Sequence, residues 1–313
     1  MQAASLHRQR DDPEHTEKMK GFLIKFNFAQ KLLNRRIFSR NIDQGIMAVE
    51  IKNTIGLGAR LSWVLEILAF CEEHNLRPAF RFTYPGSDSD FFKPFFAIHE
   101  SLACRKDAVQ FVKIHTIGEL DLGRNYDDVL TIATASGLIK KYLLIQDDIQ
   151  QEVDTFCSAH HFADTTLGVH YRGTDKSAEA PSVSYENMEQ HIRHYVTDNP
   201  ETGTVFVATD DANFLQFILR SSVGNLVVSR DDSFRATDNV AIHFSGHDRY
   251  ALNRDAIVNC LLLSRCHALL KTASILSGWS VLFNPDIQVM MLNKPFDNYF
   301  PEREFTIQDS PLG

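Results

Sequence analysis

Leu167-Gly168-Val169-His170-Tyr171-Arg172-Gly173-Thr174-Asp175-Lys176 is the stretch whose reading decides how this chain folds. From Thr165 to Tyr171 the residues are mostly apolar or β-branched, as in a strand covered on both faces. Arg172-Gly173-Thr174-Asp175 then breaks the run with turn-forming and charged groups. In open α/β sheets the carboxyl end of such a strand is where ligands bind.

The same alternation continues downstream. It predicts a helix over Tyr185–Tyr195, a strand over Thr204–Ala208, a helix over Asn213–Leu219 and a strand over Asn225–Ser229. After a polar loop, Asp231 to His247, it predicts a helix over Arg254–Ser264, a strand over His267–Lys271, a helix over Ser277–Phe283 and a strand over Ile287–Leu292. Upstream, an apolar strand over Ile46–Ile51 runs into the glycine turn Lys52-Asn53-Thr54-Ile55-Gly56-Leu57-Gly58-Ala59-Arg60 and a helix over Leu61–Phe70. Strands over Arg77–Phe82 and Ala108–Ile114 follow, then helices over Val129–Leu144 and Asp147–His161; the aromatic stretch Phe91–Phe96 reads first as core and second as a sugar-stacking surface. Strands alternating with helices belong to parallel α/β sheets. With 313 residues the chain exceeds one comfortable core, so two α/β domains facing one another are expected. The division is a polar and amphipathic leader over 1–40, a first domain over 41–155 and a second over 156–313.

A composition of 44% hydrophobic and 23% charged residues excludes disordered and disulfide-scaffold classes. The net charge of -8 argues against a nucleic-acid groove as the main function. Cys71, Cys104, Cys157, Cys260 and Cys266 are widely spaced and sit mostly in apolar contexts, which reads as core thiols in a reducing, cytoplasmic compartment. No apolar run reaches the ~18 residues needed to span a bilayer, so membrane contact is at most peripheral. The cationic face of a helix over Phe22–Ile37 is the one candidate for it, with a surface helix packed on its own domain as the preferred reading.

In a doubly wound sheet the ends of successive strands converge on one edge. Here those ends carry His170, Arg172, Asp175 and Lys176, then Thr209, Asp210 and Asp211, then Lys271, Thr272 and Ser274. Arg172 and Lys176 offer cations to a diphosphate, the arginine through its two-pronged fork. Asp210 or Asp211 offers an acceptor to a ribose or a base amine, and Ser274 a hydroxyl at a helix start. The bland alternative is an ion-pair turn of Arg172, Asp175 and Lys176, with Asp210 capping a helix. The glycine turn at Gly56 and Gly58, with Arg60 in the first helical turn, suits a phosphate or a sugar hydroxyl, and equally a tight structural turn. It lacks the third glycine of the dinucleotide fingerprint, which counts against a nicotinamide-dependent dehydrogenase. No carboxylate-histidine spacing points to a metal, and no GxSxG elbow points to a hydrolase.

Taken together, His170-Tyr171-Arg172-Gly173-Thr174-Asp175-Lys176, Val207-Ala208-Thr209-Asp210-Asp211, His247-Asp248-Arg249-Tyr250 and Ala256 to Ser264 leading to Lys271-Thr272-Ala273-Ser274 resemble the GDP-fucose-dependent fucosyltransferases of the α-1,6 type. That group includes the rhizobial nodulation and animal N-glycan core enzymes, within the wider protein O-fucosyltransferase superfamily. The resemblance is specific over Gly168 to Pro285 and thins in the first half to Gly56–Leu61. It implies a GT-B-like α/β fold, two Rossmann-like domains with a cleft between them, the first on the acceptor side and the second binding a GDP-sugar. It also implies inverting transfer of fucose to a hydroxyl of a glycan or glycoconjugate, with no obligatory metal or other cofactor. By the resemblance Arg172, Lys176 and Glu179 are catalytic, with Glu179 as the base. His170, Arg172, Thr174, Asp175, Asp210, Asp211, Arg249, Lys271, Thr272 and Ser274 bind the donor, and Gly56, Gly58 and Arg60 form the loop of the first domain. The chain departs from its apparent relatives at Gly173, where the core enzymes have a second arginine, at Asn259 in place of an Asp, and at Ser274-Ile275-Leu276 in place of Ser-Ser-Gln. The missing arginine leaves a phosphate contact for Arg60 or Arg249 to supply. It also keeps open a different GDP-sugar donor, or a binding protein of the same fold without catalysis.

Overall fold

Ile46–Lys52 forms β1, a strand with six consecutive buried residues, and it is the middle of a parallel sheet because both its edges are occupied. On one side lies β2 (Arg77–Thr83), paired from Ile46↔Arg77 to Lys52↔Thr83; on the other lies β4 (Val112–Ile114). The computed structural model of the chain describes residues 30–104, 109–174, 179–237 and 246–308. Between β1 and β2 runs α2 (Leu57–His74), which ends on Asn75 in the left-handed region.

The second sheet is parallel throughout and has the order β10-β9-β6-β7-β8, with β6 (Leu167–Tyr171) in the middle. Its other strands are β7 (Val205–Thr209), β8 (Val227–Val228), β9 (Ala268–Lys271) and β10 (Gln288–Met291). The crossovers are α5 (Tyr185–Asp198), α6 (Ala212–Leu219), α7 (Arg249–Ser264) and α8 (Ile275–Phe283). This is the α/β architecture expected, with two parallel sheets and helical connections.

Several boundaries differ from expectation for local reasons. The helix predicted over Val129–Leu144 is α3 (Ile132–Tyr142), because Thr131 and Thr134 cap it reciprocally. Its last predicted residues belong to β5 (Leu143–Ile145), which pairs antiparallel with β3 (Phe96–Ile98). Strands of three residues carry too little alternation to be read from sequence. The strand predicted over Asn225–Ser229 shrinks to two residues, since Gly224–Leu226 makes a tight 3-10 turn. A side chain at Gly224 would lie 2.2 Å from the Leu219 carbonyl oxygen. The amphipathic helix expected over Phe22–Ile37 is observed over 30–43 as α1, and residues 22–29 lie outside the described residues. It rests on its own domain: Asn34 Nδ2 donates to the Lys113 carbonyl at 2.6 Å and Asn41 Nδ2 to that of Gln110 at 2.8 Å. No described helix is long and apolar enough to cross a membrane.

One apolar core is continuous through both halves. It joins Val49, Leu61 and Leu65 to Leu262, Trp279 and Leu282, and includes Phe92, Phe95 and Phe96 of the aromatic stretch. The helix α4 (Asp147–Ala159) packs against α7, and its Phe156 meets Phe206 edge to face with ring centres 5.6 Å apart. Cys71, Cys260 and Cys266 are buried and all five cysteines are free thiols.

Strand alternation assigns the faces of the second sheet. Leu167, Val169 and Tyr171 join a second apolar cluster with Met188, Ile192 and Phe214, so Gly168 and His170 face the opposite side. There a Cβ at Gly168 would stand 3.0 Å from Cys266 Sγ and 3.2 Å from Leu263 Cδ2. The glycine lets α7 lie close against the middle strand. Gly168→Ala is therefore expected to lower unfolding stability by ~1–3 kcal/mol through overpacking. Gly137→Ala in α3, where a Cβ meets nothing within 4 Å, is expected to gain ~0.5–1 kcal/mol. Urea unfolding midpoints of the two variants check this, and equal shifts would contradict the close approach.

Candidate functional site

The three strand ends expected to converge do so. Register places His170 beside Lys271 and Tyr171 beside Thr209, so the residues that follow β6, β7 and β9 share one edge. Thr209 Oγ1 donates to the Tyr171 carbonyl at 2.7 Å and accepts from the Asp211 amide at 3.1 Å. From β9, Thr272 Oγ1 accepts the Arg172 amide at 2.9 Å. The backbone of Arg172 is thus held from both neighbouring strands.

Asp210 organises the turn itself. Its Oδ1 accepts the Gly173 amide at 3.1 Å, its Oδ2 accepts the Thr174 hydroxyl at 2.7 Å, and Arg172 Nη1 lies 3.1 Å from Oδ2. Asp211 does different work, capping α6 through the Asn213 and Phe214 amides at 2.9 and 3.1 Å and accepting the Tyr185 hydroxyl at 2.6 Å. Burial, and then that hydrogen bond to a carboxylate, pushes the Tyr185 phenol above its ordinary value. Both carboxylates are engaged within the protein, whereas the Arg172 side chain is 23% exposed and reachable from solvent. Gly173 is closed to any side chain, since a Cβ would fall 2.6 Å from Asp211 Oδ2 and 2.7 Å from Tyr171 Cε1.

At the end of β9 the structure separates residues that sequence grouped together. Lys271 is fully buried, with its ammonium 2.5 Å from Glu302 Oε1 and 4.8 Å from the centre of the Phe305 ring. Glu302 Oε2 accepts the Ser274 amide at 3.2 Å, so a carboxylate of the protein already sits at the start of α8. His170 is also buried. Asn293 adds a second tie, accepting the Ala273 amide at 2.7 Å and donating to the Pro181 carbonyl at 2.6 Å. Sequence reasoning missed both Glu302 and Asn293; the Glu302-Arg303-Glu304 run between Pro301 and Phe305 reads as a solvated charged turn and does not mark Glu302 as buried.

The glycine turn of the first half reaches the same region. A Cβ at Gly58 would lie 3.1 Å from Ile275 Cγ2 and 3.4 Å from the Leu276 amide nitrogen, so the starts of α2 and α8 abut. Arg60 is 1% exposed. Its Nη2 donates to the Asn53 carbonyl and its guanidinium carbon lies 4.0 Å from the centre of the Tyr84 ring. Its Nε and Nη1 find no hydrogen-bond partner among the described residues. Burial lowers the Arg60 pKa, Tyr84 opposes the shift and the Arg249 charge adds to it. Arg249, the first residue of α7, holds its guanidinium carbon 5.2 Å from the same ring. Two cations therefore converge on Tyr84, whose hydroxyl accepts from Asn253 Nδ2 at 3.2 Å.

Asp175 and Lys176 lie outside the described residues. Glu179 is exposed, and its carbonyl accepts the Phe296 amide at 2.8 Å. Asn259 belongs to a polar cluster that fixes the segment after β8: its Nδ2 donates to Asp255 Oδ1 at 2.8 Å and to Ser233 Oγ at 3.0 Å. Arg230 pairs there with Glu152, Asp232 and Asp255. Among the described residues no three His, Cys, Asp or Glu side chains gather as a metal site. A separate cavity of about 440 Å³ between α2 and α3 is lined by Glu72, Glu73, Arg124 and Lys141, whose charges pair with one another.

No protein-family model matches the chain. No curated protein sequence matches it either. Among solved structures, it is similar to the fucosyltransferase NodZ from Bradyrhizobium, at 14% identity and a TM-score of 0.43 over 77% of this chain and 94% of that one. A mutant of Arabidopsis thaliana FUT1 in complex with GDP gives 10% identity and a TM-score of 0.48 over 81% of this chain and 72% of that one. POFUT1 in complex with GDP gives 13% and 0.46 over 77% and 97%. At these scores the likeness assigns no role to any residue.

The buried Lys271–Glu302 pair makes its own prediction. Lys271→Met or Glu302→Leu alone strands one buried charged partner and is expected to cost ~3–5 kcal/mol. Lys271→Met combined with Glu302→Leu should recover part of the loss, with a coupling of ~1–3 kcal/mol in a double-mutant cycle. Denaturant unfolding of the four proteins measures this, and strict additivity would contradict a direct tie between the two residues.

Proposed function

We propose that this protein is an inverting glycosyltransferase that moves fucose from GDP-fucose to a hydroxyl of a glycan or glycoconjugate, without an obligatory metal. The observation that carries the reading is Arg172. Its backbone is held by Thr272, its side chain is oriented by Asp210, and that side chain is partly exposed at the carboxyl edge of the second sheet. A leaving diphosphate needs a cation placed in advance, because a fixed charge stabilises the transition state without reorganising at the moment of reaction. A guanidinium is suited to that role, since it offers two N–H groups to two oxygens. The family resemblance of the motif supplies the donor, GDP-fucose.

In this reading residues 156–313 form the donor half, and residues 41–155 form the acceptor half. Arg60 and Arg249 place further positive charge where the two halves meet, which suits the diphosphate that Gly173 leaves short of one arginine. Asp210 acts by shaping the turn and Asp211 by capping α6, rather than by touching the nucleotide. Glu179 is the base for the attacking hydroxyl, and Lys176 assists at the phosphate. The absence of any room for a side chain at residue 173 also favours a second reading, a nucleotide-sugar-binding protein of the same fold without transfer.

Release of GDP from GDP-fucose separates the two. The expected result is slow hydrolysis without acceptor, falling ~10²–10³-fold in Arg172→Ala and less in Arg172→Lys. Arg60→Ala is expected to raise the Kd for GDP several-fold by calorimetry. GDP binding with neither hydrolysis nor transfer to any acceptor of a broad glycan array would select the second reading. Release unchanged in Arg172→Ala, or faster release from another GDP-sugar, would overturn the assignment of the residue or of the donor.

A further inference from the structure

The helix α1, over residues 30–43, has two faces of different character. Ile37, Phe38 and Asn41 hold the inner one. Ile37 joins the apolar core, the Phe38 and Phe70 ring centres lie 6.5 Å apart, and Asn41 Nδ2 donates to the Gln110 carbonyl at 2.8 Å. Positions three and four apart share a face of a helix, so the outer side is formed by Leu32, Arg36 and Arg40, with Leu33 beside them. All four are exposed, Leu32 at 44% and Leu33 at 51%. Among the described residues that are large, hydrophobic and exposed, only these two are neighbours in sequence. Lys31 and Arg35, also exposed, flank them.

The charge on this surface has the opposite sign to that of the whole chain. Residues 30–43 hold Lys31, Arg35, Arg36 and Arg40 against the single carboxylate of Asp43, in a chain of net charge -8. Arg40 donates to the Gln110 side chain, which is neutral, and among the described residues none of the four cations pairs with a carboxylate. The sequence leading into the helix continues both chemistries. Lys18, Lys20 and Lys25 stand there among Phe22, Leu23, Ile24, Phe26 and Phe28, and residues 18–29 contain no carboxylate.

The combination narrows the partner. Nucleic-acid phosphates would use the arginines and leave both leucines in water. A protein partner needs on the order of 800 Å² from each side, whereas the outer face of this helix is only ~20 Å by ~10 Å. An anionic bilayer meets both demands, because the acyl boundary takes the leucines while the headgroup charges take the cations. We propose that α1 is a membrane-contact helix, lying on an anionic lipid surface with Leu32 and Leu33 in the headgroup boundary and Lys31, Arg35, Arg36 and Arg40 on lipid phosphates. The contact is reversible, since it has neither an acyl chain nor a spanning helix to hold it. It concerns the first half alone, and it stands or falls apart from the glycosyltransferase reading.

The test is co-sedimentation of the full chain with vesicles of phosphatidylcholine, or of phosphatidylcholine with about a third phosphatidylserine. The expected result is partition onto the phosphatidylserine vesicles alone. It should fall about tenfold or more when salt rises from ~0.1 M to ~1 M and the screening length drops from ~10 Å to ~3 Å. Arg35→Gln and Arg36→Gln are each expected to lower partition about fivefold, the effect of one cation at an anionic surface. The double variant Leu32→Ser, Leu33→Ser should lower it about tenfold or more. Every substituted residue is exposed, so urea unfolding midpoints should match the parent, which separates a lost contact from a lost fold. In Leu33→Trp, brominated acyl chains should quench fluorescence beyond the quenching seen in the parent. No sedimentation with phosphatidylserine, equal partition onto both lipids, partition unmoved by salt, or variants that sediment like the parent would overturn the proposal; the last would give the binding to another part of the chain. A parent that is dimeric by light scattering and becomes monomeric in Leu32→Ser, Leu33→Ser would give this face to a second copy, and would overturn it as well.

Discussion

A buried ion pair between Lys271 and Glu302 ties together the parts from which the site is made. Burying two charges is costly unless each is compensated, and here the compensation is distributed. The ammonium meets the carboxylate and faces the Phe305 ring, and the second carboxylate oxygen takes the Ser274 amide at the start of α8. The pair therefore connects the end of β9, a helix start and the C-terminal segment. That segment continues into Arg303, whose guanidinium reaches Asp127 Oδ2 at 2.6 Å in the first half. One fully desolvated contact thus sits next to a bridge between the two halves.

The neighbouring strands apply the same logic with less burial. Asp210 collects an amide, a hydroxyl and a guanidinium from three successive residues, which holds a turn that would otherwise be free to sample many conformations. The result is a partly exposed guanidinium on a backbone gripped from two strands. The convergence of Arg60 and Arg249 on Tyr84 adds positive charge from the other side of the contact between α2 and α8.

Much of this was legible in the sequence, and for a physical reason. The strands β1, β6, β7 and β9 are buried runs, and residues covered on both faces must be apolar, so their positions and their order with the helices could be read directly. The convergence of Arg172, Asp210 and Thr272 followed from the parallel register that such runs adopt. What did not follow was the direction of each side chain. Asp210 and Asp211 are adjacent and chemically identical, yet one clasps the turn and the other caps α6, because the chain changes from strand to helix between them. Lys271 is in register with His170 at a strand end, and a strand end can face a ligand or the interior. Its partner Glu302 lies thirty-one residues later in sequence, beyond the reach of any local pattern. Gly173 is another case, since only the positions of Tyr171 and Asp211 show that its missing side chain is a packing requirement. The three-residue pair β3 and β5 escaped because alternation needs more residues than it has.

The most direct test of the donor site is the crystal structure of the full chain grown with GDP. The expected result is a diphosphate with its oxygens within hydrogen-bond distance of the Arg172 guanidinium, beside the Gly173 and Thr174 turn and facing Arg60 across the contact of α2 with α8. A nucleotide seated away from the carboxyl edge of β6, β7 and β9, or no nucleotide at that edge under saturating GDP, would contradict the assignment of this edge as a nucleotide-sugar site.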